Sequence, residues 1–395
     1  MLTHRELFLK YLAQTSDSPL QLEIEKAEGV YLYTPSGKKI IDLISGVSVS
    51  NVGHSHNDVV KAVTEQAQKY MHLMVYGEFV QHPQVKLAEA ICEMLPQKLQ
   101  SVYFVNSGSE AVEGAIKLAK RYTGRPNIIS FINAYHGGTN GALSLMGSED
   151  FKQAFRPLLP GVKHLRFNNF DDLNRIDSST ACVVVEPVQG EAGIIEPLND
   201  FLSALRKQCN ETGTLLVFDE IQTGMGRTGK NFAFEKCGVV PDILLLAKAF
   251  GGGMPLGAFI SSKEIMGTLT HNPVLGHITT FGGHPVSCAA SLKSLELLTS
   301  LNLVDDVDKK EQLFRNRLEG HPKVKGIRSS GLFMAVELGS FEKVQKFIHL
   351  GLEIGFVTDW FLFCSTAFRI APPLIISYDE IEQACEKIIQ ALDRL

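Results

Sequence analysis

The chain has 395 residues, 45% hydrophobic and 21% charged, with 38 basic against 43 acidic side chains and a net charge of −5. That is about two domains of chain with enough apolar mass for a large core, which excludes disorder as the main state, and its mixed charge gives no electrostatic case for nucleic acid. The seven cysteines are scattered without metal-ligand spacing, no apolar run reaches membrane-spanning length and the N-terminus lacks a signal-like core, so the expectation is a reduced, cytoplasmic protein with no membrane partner and no metal.

Residues 1–20 predict a short helix and a Pro-containing turn, and residues 21–45 two or three strands with a turn at Thr34–Gly37. Residues 46–56 read as a loop. Residues 57–69 space Val59, Val60, Val63 and Ala67 on one helical face, and 82–95 give a second helix ended by Pro96. From Ser101 strands and helices alternate: VYFVNS, a helix over 109–121, NIISFI, HLRF, CVVVEP, a helix over 200–210, LLVFDE and ILLLAK. Such alternation predicts an α/β fold with a parallel sheet covered on both faces. After about residue 285 the pattern becomes helices over 285–299, 303–318, 341–350 and 378–394 around strands at 331–338 and FRIAPPL. This predicts a smaller α+β domain.

Two apolar runs end in residues that do not belong in a core. Leu215–Phe218 delivers Asp219, and Ile243–Ala247 delivers Lys248. In open α/β sheets ligands sit at the carboxyl ends of strands. A desolvated lysine there has a lowered pKa and is a candidate Schiff-base former. An aspartate at the neighbouring end can keep a pyridine nitrogen protonated, and this pairing is what pyridoxal phosphate requires. An ordinary cap or ion pair is the competing reading for each residue alone. Gly251-Gly252-Gly253 after the lysine and Gln222 after the aspartate favour a bulky ligand. Strand 102–105 runs into Asn106-Ser107-Gly108-Ser109 and a helix, a capped N-terminus whose free N–H groups suit a phosphate. By contrast, Gly224–Lys230 matches most of a P-loop but is followed by Asn231, so the magnesium-binding hydroxyl is missing.

With these pieces placed, the chain resembles the class III aminotransferases of pyridoxal-phosphate fold type I, nearest the acetylornithine/ornithine branch. The motifs NSGSEAVEGAIKLAK, AYHGGT, VVEPVQGEAG, FDEIQTGMGRTG, LAKAFGGGMPLGA and TTFGGHP carry the resemblance in family order. It implies a large domain over 51–285 with a mostly parallel seven-stranded sheet, a small domain over 286–395, and a segment 1–50 packing with the small domain. It further implies that Lys248 carries the cofactor and shuttles a proton, and that Asp219 pairs with the pyridinium. Gln222 would approach the ring's phenolic oxygen, Ser107 and Gly108 would hold the phosphate, and Tyr135 would stack on the ring, with His136 and Glu186 beside it. Thr280 would reach the phosphate of a partner subunit and Thr279 the substrate, in a homodimer with a shared site. Glu191 would gate Arg369, which grips the α-carboxylate of 2-oxoglutarate when free. One departure stands out: the branch's carboxylate-binding arginine after His-Gly is Gly138 here, and Tyr76 and Glu78 lie where donor contacts are expected. The implied activity is transfer of a terminal amino group from a donor such as N-acetylornithine or ornithine to 2-oxoglutarate. Another ω-amino donor, such as 4-aminobutyrate or a diamine, an aminomutase, a nucleotide-binding module using 224–230 and a non-catalytic scaffold protein are the alternatives.

Overall fold

The computed structural model describes residues 2–395. Strands β1 (Lys26–Glu28), β2 (Tyr31–Tyr33) and β3 (Lys39–Asp42) form an antiparallel meander, and Gly37 N–H donates to the Thr34 carbonyl at 2.9 Å in the expected turn. The segment after β3 is tighter than the expected loop. Ser45, Gly46, Val47 and Ser48 have φ of 47°, 63°, 62° and 62°, a left-handed turn that L-residues, and β-branched valine above all, resist. It is held from both ends. Asp42 Oδ1 accepts the N–H groups of Ile44 and Ser45, and Ser45 Oγ donates to the Ala371 carbonyl at 2.6 Å. The turn sets Val49 against the cavity that Lys248 lines.

The central sheet contains β4 (Ser101–Val105), β5 (Asn127–Phe131), β6 (Val162–Leu165), β7 (Thr180–Val185), β8 (Leu215–Asp219), β9 (Ile243–Leu246) and β10 (Gly257–Ser261), in the order β4-β10-β9-β8-β7-β5-β6. The ladders β5–β6, β5–β7, β7–β8 and β8–β9 are parallel, while β10 runs antiparallel to both β4 and β9. Strands β7 to β10 are buried throughout, as a two-sided parallel sheet requires of Val/Ile/Leu-rich runs. Pattern reading missed β10. The connection from β9 is too short for a helical crossover, so the next strand returns antiparallel. Strand β6 also begins two residues before the expected HLRF segment.

The helices Asn57–Lys69 and His82–Glu93 form as the spacing predicts, and helix Pro285–Ser300 packs across both. Beyond it, the expected helix over 303–318 begins at Val307, because residues 302–306 form turns. The C-terminal part of the chain then builds a four-stranded antiparallel sheet, with β11 (Gly326–Ser329), β12 (Met334–Glu337), β14 (Trp360–Phe361) and β15 (Cys364–Ile370) in the order β11-β12-β15-β14. Strand β13 (Phe356–Val357) leaves this group and pairs in parallel with β3, so the two ends of the chain share a sheet. The glycine-rich 224–230 stretch is a structural tie. Arg227 is fully buried; its Nη1 donates to the carbonyls of Leu332 and Pro372 at 2.9 and 2.6 Å, and its Nη2 donates to Asn51 Oδ1 and Ser45 Oγ. Among the described residues no helix is long and apolar enough to cross a membrane.

Candidate active site

The parallel register sets Asp219 opposite Leu245, so β8 and β9 end side by side and Lys248 lies two residues past the end of β9. Both residues line one cavity of about 390 Å³, with Ser107, Gly108, Tyr135, His136, Glu186 and Gln222. Eight of the expected site residues thus share one space. Lys248 has φ 50°, outside the ordinary range for a side-chain-bearing residue. Burial lowers the pKa of its ammonium, while the charges of Glu191 and Asp219 oppose the shift.

Asp219 is buried. Its Oδ2 accepts a hydrogen bond from His136 Nδ1 at 2.7 Å, and its Oδ1 accepts Ile221 N–H at 3.1 Å. For His136, burial works against protonation. The hydrogen bond and charge of Asp219, with Glu186 behind it, outweigh burial and raise its pKa. Glu186 accepts the N–H groups of Tyr135 and Gly190 at 3.2 and 3.1 Å, and burial drives its carboxyl up to about 7. Among the residues lining this cavity, two buried nitrogens lack a partner: His136 Nε2 and Gln222 Nε2.

The opposite wall is the N-terminus of helix Gly108–Thr123. An α-helix leaves its first four N–H groups unpaired. Ser107, the N-cap, takes up one of them, its Oγ accepting Glu110 N–H at 3.2 Å, while its carbonyl accepts the first intrahelical N–H, that of Ala111, at 3.1 Å. The amides of Gly108 and Ser109 remain for a ligand. Ser109 Oγ meanwhile accepts Gly138 N–H at 3.1 Å, and a Cβ on Gly137 would meet that oxygen at 2.1 Å, so the loop can pass only as glycine. Gly138 itself is exposed, and a Cβ there meets nothing within 4 Å.

Glu191 and Arg369 form a second, buried group coupled to this cavity. Arg369 Nη2 donates to Glu191 Oε1 and Oε2 at 3.0 and 3.2 Å. Burial penalises the Glu191 carboxylate, but Arg369, the Leu362 N–H and Lys248 outweigh it and lower its pKa. Asp359, which pattern reading did not single out, accepts Arg369 Nε at 2.9 Å. Nothing in the DWFLF stretch marks it as a partner of a residue ten positions on.

Three expected residues lie elsewhere. Tyr76 and Thr279 line a separate cavity of about 330 Å³ with Phe79, Val80 and Tyr103. Thr279 Oγ1 accepts Asn106 Nδ2 at 3.1 Å, and Thr280 is exposed. Within one chain these residues do not join the Lys248 cavity.

Residues 11–392 match the family model described as Aminotransferase class-III. An acetylornithine aminotransferase of Methanopyrus kandleri is 39% identical over 392 residues, covering 98% of each chain. The fold matches the crystal structure of an ornithine aminotransferase from Toxoplasma gondii ME49 with a TM-score of 0.91 at 28% identity, over 100% of this chain and 96% of that one. A second Toxoplasma gondii ornithine aminotransferase structure, described with partial occupancy of PLP at its active site, matches with a TM-score of 0.90 at 29% identity, over 98% and 93% of the two chains.

Proposed function

The chain belongs to the class-III aminotransferases, a pyridoxal-phosphate-dependent family, and we propose that it moves a terminal amino group from an N-acylated ornithine or ornithine to 2-oxoglutarate, forming an aldehyde and glutamate. The observation that carries this reading is the convergence of Lys248 and Asp219, from neighbouring strand ends, on one cavity.

The residues present fit the cofactor. Gln222 Nε2 is a buried donor without a partner, the Gly108 and Ser109 amides suit a phosphate, and Asp219 is a buried carboxylate aligned by two donors. When bound, pyridoxal phosphate supplies a carbonyl that takes the amino group and a ring that withdraws electrons. Lys248 Nζ would hold it covalently and, once freed as a neutral amine, carry a proton between the substrate carbon and the cofactor's carbonyl carbon. Burial, which lowers the Lys248 pKa, supports that role. Asp219 would keep the proton on the ring nitrogen, with His136 holding its carboxylate in place. Tyr135 and Glu186 would confine the ring, Gln222 would donate to its oxygen, and Ser107 and Gly108 would seat the phosphate.

Arg369 would bind the acceptor's α-carboxylate in exchange for Glu191, whose pairing with Arg369 otherwise admits a donor end without that charge. A homodimer would complete the site, bringing Thr280 to the partner's phosphate and Thr279 and Tyr76 to its substrate. Exposed Phe79, Val80, Ile278 and Phe281 around those residues support an interface there. The division into a segment 1–50, a large domain 51–285 and a small domain 286–395 belongs to the same reading, supported by the pairing of β13 with β3. So does a cytoplasmic location, supported by seven unpaired cysteines.

One observation favours a second reading of the donor. Gly138 supplies no charge to an α-carboxylate, which suits an ω-amino donor that lacks one, such as a diamine. A panel of donors scored by glutamate formation separates these readings. Activity with acylated ornithine or ornithine supports the first, activity confined to other ω-amines the second. No glutamate with any donor, with the amino group moved along one skeleton instead, overturns both in favour of a mutase.

A further inference from the structure

Arg369 carries two carboxylates, buried Glu191 and half-buried Asp359, and they occupy different edges of its guanidinium. Nε donates to Asp359 Oδ1 at 2.9 Å, Nη2 donates to both oxygens of Glu191, and Nη1 is buried without a partner. A guanidinium is a rigid planar fork, so fixing Nε fixes where the other two nitrogens point. Asp359 is itself fixed. Its carbonyl accepts the Arg369 N–H at 2.9 Å, and next along the chain β14 pairs with β15. The Phe361 ring lies 4.5 Å from the guanidinium carbon and restrains its plane. Glu191 sits in a turn between Gly190 and Gly193; its carbonyl accepts Phe363 N–H at 3.0 Å, and its carboxylate has one other donor, Leu362 N–H at 3.1 Å. In the exchange proposed above, Glu191 is the carboxylate that leaves and Asp359 the one that stays.

We propose that Asp359 is a positioning residue for the acceptor substrate: it holds the Nε edge of Arg369 throughout turnover, so that the Nη1–Nη2 edge faces an incoming carboxylate when Glu191 withdraws. This rests on the reading of Arg369 as the carboxylate binder. It adds a reason why exchange is feasible in a buried site. The guanidinium keeps one resident carboxylate, and the substrate replaces the other one for one, so the buried charge is the same before and after. The unpartnered Nη1 then finds its acceptor in the substrate.

The test is steady-state kinetics of the holoenzyme with 2-oxoglutarate as the varied substrate, run on Asp359→Ala, Asp359→Asn and Arg369→Lys, with a melting curve for each. Asp359→Ala raises KM for 2-oxoglutarate by about tenfold or more, the effect of one lost charge-assisted hydrogen bond. Its kcat changes little. Asp359→Asn, whose amide oxygen still accepts from Nε, restores most of the wild-type KM. Should Asp359→Ala fail to fold, Asp359→Ser is read in the same assay. An unchanged KM in Asp359→Ala while Arg369→Lys raises it overturns the role of Asp359 alone. An unchanged KM in Arg369→Lys overturns the reading of Arg369 beneath it. A fall in kcat and melting temperature with no change in KM marks Asp359 as structural and overturns the proposal.

Discussion

Lys248 sits at the end of a fully buried strand, in a strained backbone conformation, with its ammonium disfavoured by burial. Its neighbours Asp219 and Glu191 pull the other way, so the amine is tuned by a balance rather than by isolation. On the proposed reading, removing the group removes the proton carrier. Lys248→Ala should lower turnover by roughly 10²–10⁴-fold, the usual worth of a general base. The assay is glutamate release under saturating donor, and turnover within a few-fold of wild type contradicts the assignment. Gly138 is the opposite kind of position, exposed and with open space around a Cβ. Gly138→Arg should therefore fold with stability changed by no more than about 0.5 kcal/mol. It should also raise kcat/KM for α-carboxylated donors relative to simple diamines. A shift toward diamines would show that this position does not face the donor's carboxylate.

At the scale of elements, the loop after β8 ties the structure together through buried charge. Glu220 accepts the N–H groups of Ala233 and Phe234 at 2.7 and 2.8 Å and the Thr223 hydroxyl at 2.9 Å, yet burial raises its pKa to about 7. Its folded pKa lies above the ordinary 4.5, so the folded state holds this proton where the unfolded chain has lost it. The stability linked to Glu220 is full below pH 4.5 and is lost as pH rises through 7. Glu220→Gln cannot lose it. The stability of the variant relative to wild type should climb by about 1.4 kcal/mol per pH unit across that window. Chemical denaturation at pH 5 and pH 7.5 measures it, and a constant difference contradicts the linkage. Arg227, in the same loop, bonds two carbonyls and two side chains from both ends of the chain. Arg227→Met should cost about 3–5 kcal/mol, because it strands buried acceptors. A loss under 1 kcal/mol would show that water or repacking replaces them. The glycine spacing of this loop suggested nucleotide chemistry, and its incomplete motif argued against that; no sequence signal foretold an arginine buried at its centre. The strands and long helices from 101 to 246 were legible because buried strands and amphipathic helices alternate with a clear period, whereas the short helix Asn140–Leu145 lay in a stretch that reads as a loop. Strand β10 was not, because GAFIS comes after the lysine loop with no helix to mark a new unit. The left-handed turn at 45–48 was not either, since Ser-Gly-Val-Ser satisfies no turn rule and is imposed by Asp42 and Ala371.

For the whole molecule, one chain assembles the Lys248 cavity but leaves Tyr76, Thr279 and Thr280 outside it, beside exposed Phe79, Val80 and Phe281. The resemblance marked these residues, but nothing in a single chain's pattern says whether a second copy uses them. Sedimentation equilibrium should give about twice the 43.5 kDa chain mass at working concentration. A monomer with full activity would show that no partner completes the site. Covalent attachment of the cofactor at one lysine underlies every role assigned to the cavity, and it is open to direct measurement. The holoenzyme is reduced with borohydride and digested, and the peptides are read by mass spectrometry. The prediction is a pyridoxyl-phosphate adduct on Lys248 and loss of the adduct in Lys248→Ala. An adduct on a different lysine, or none on a protein that still transaminates, would contradict it.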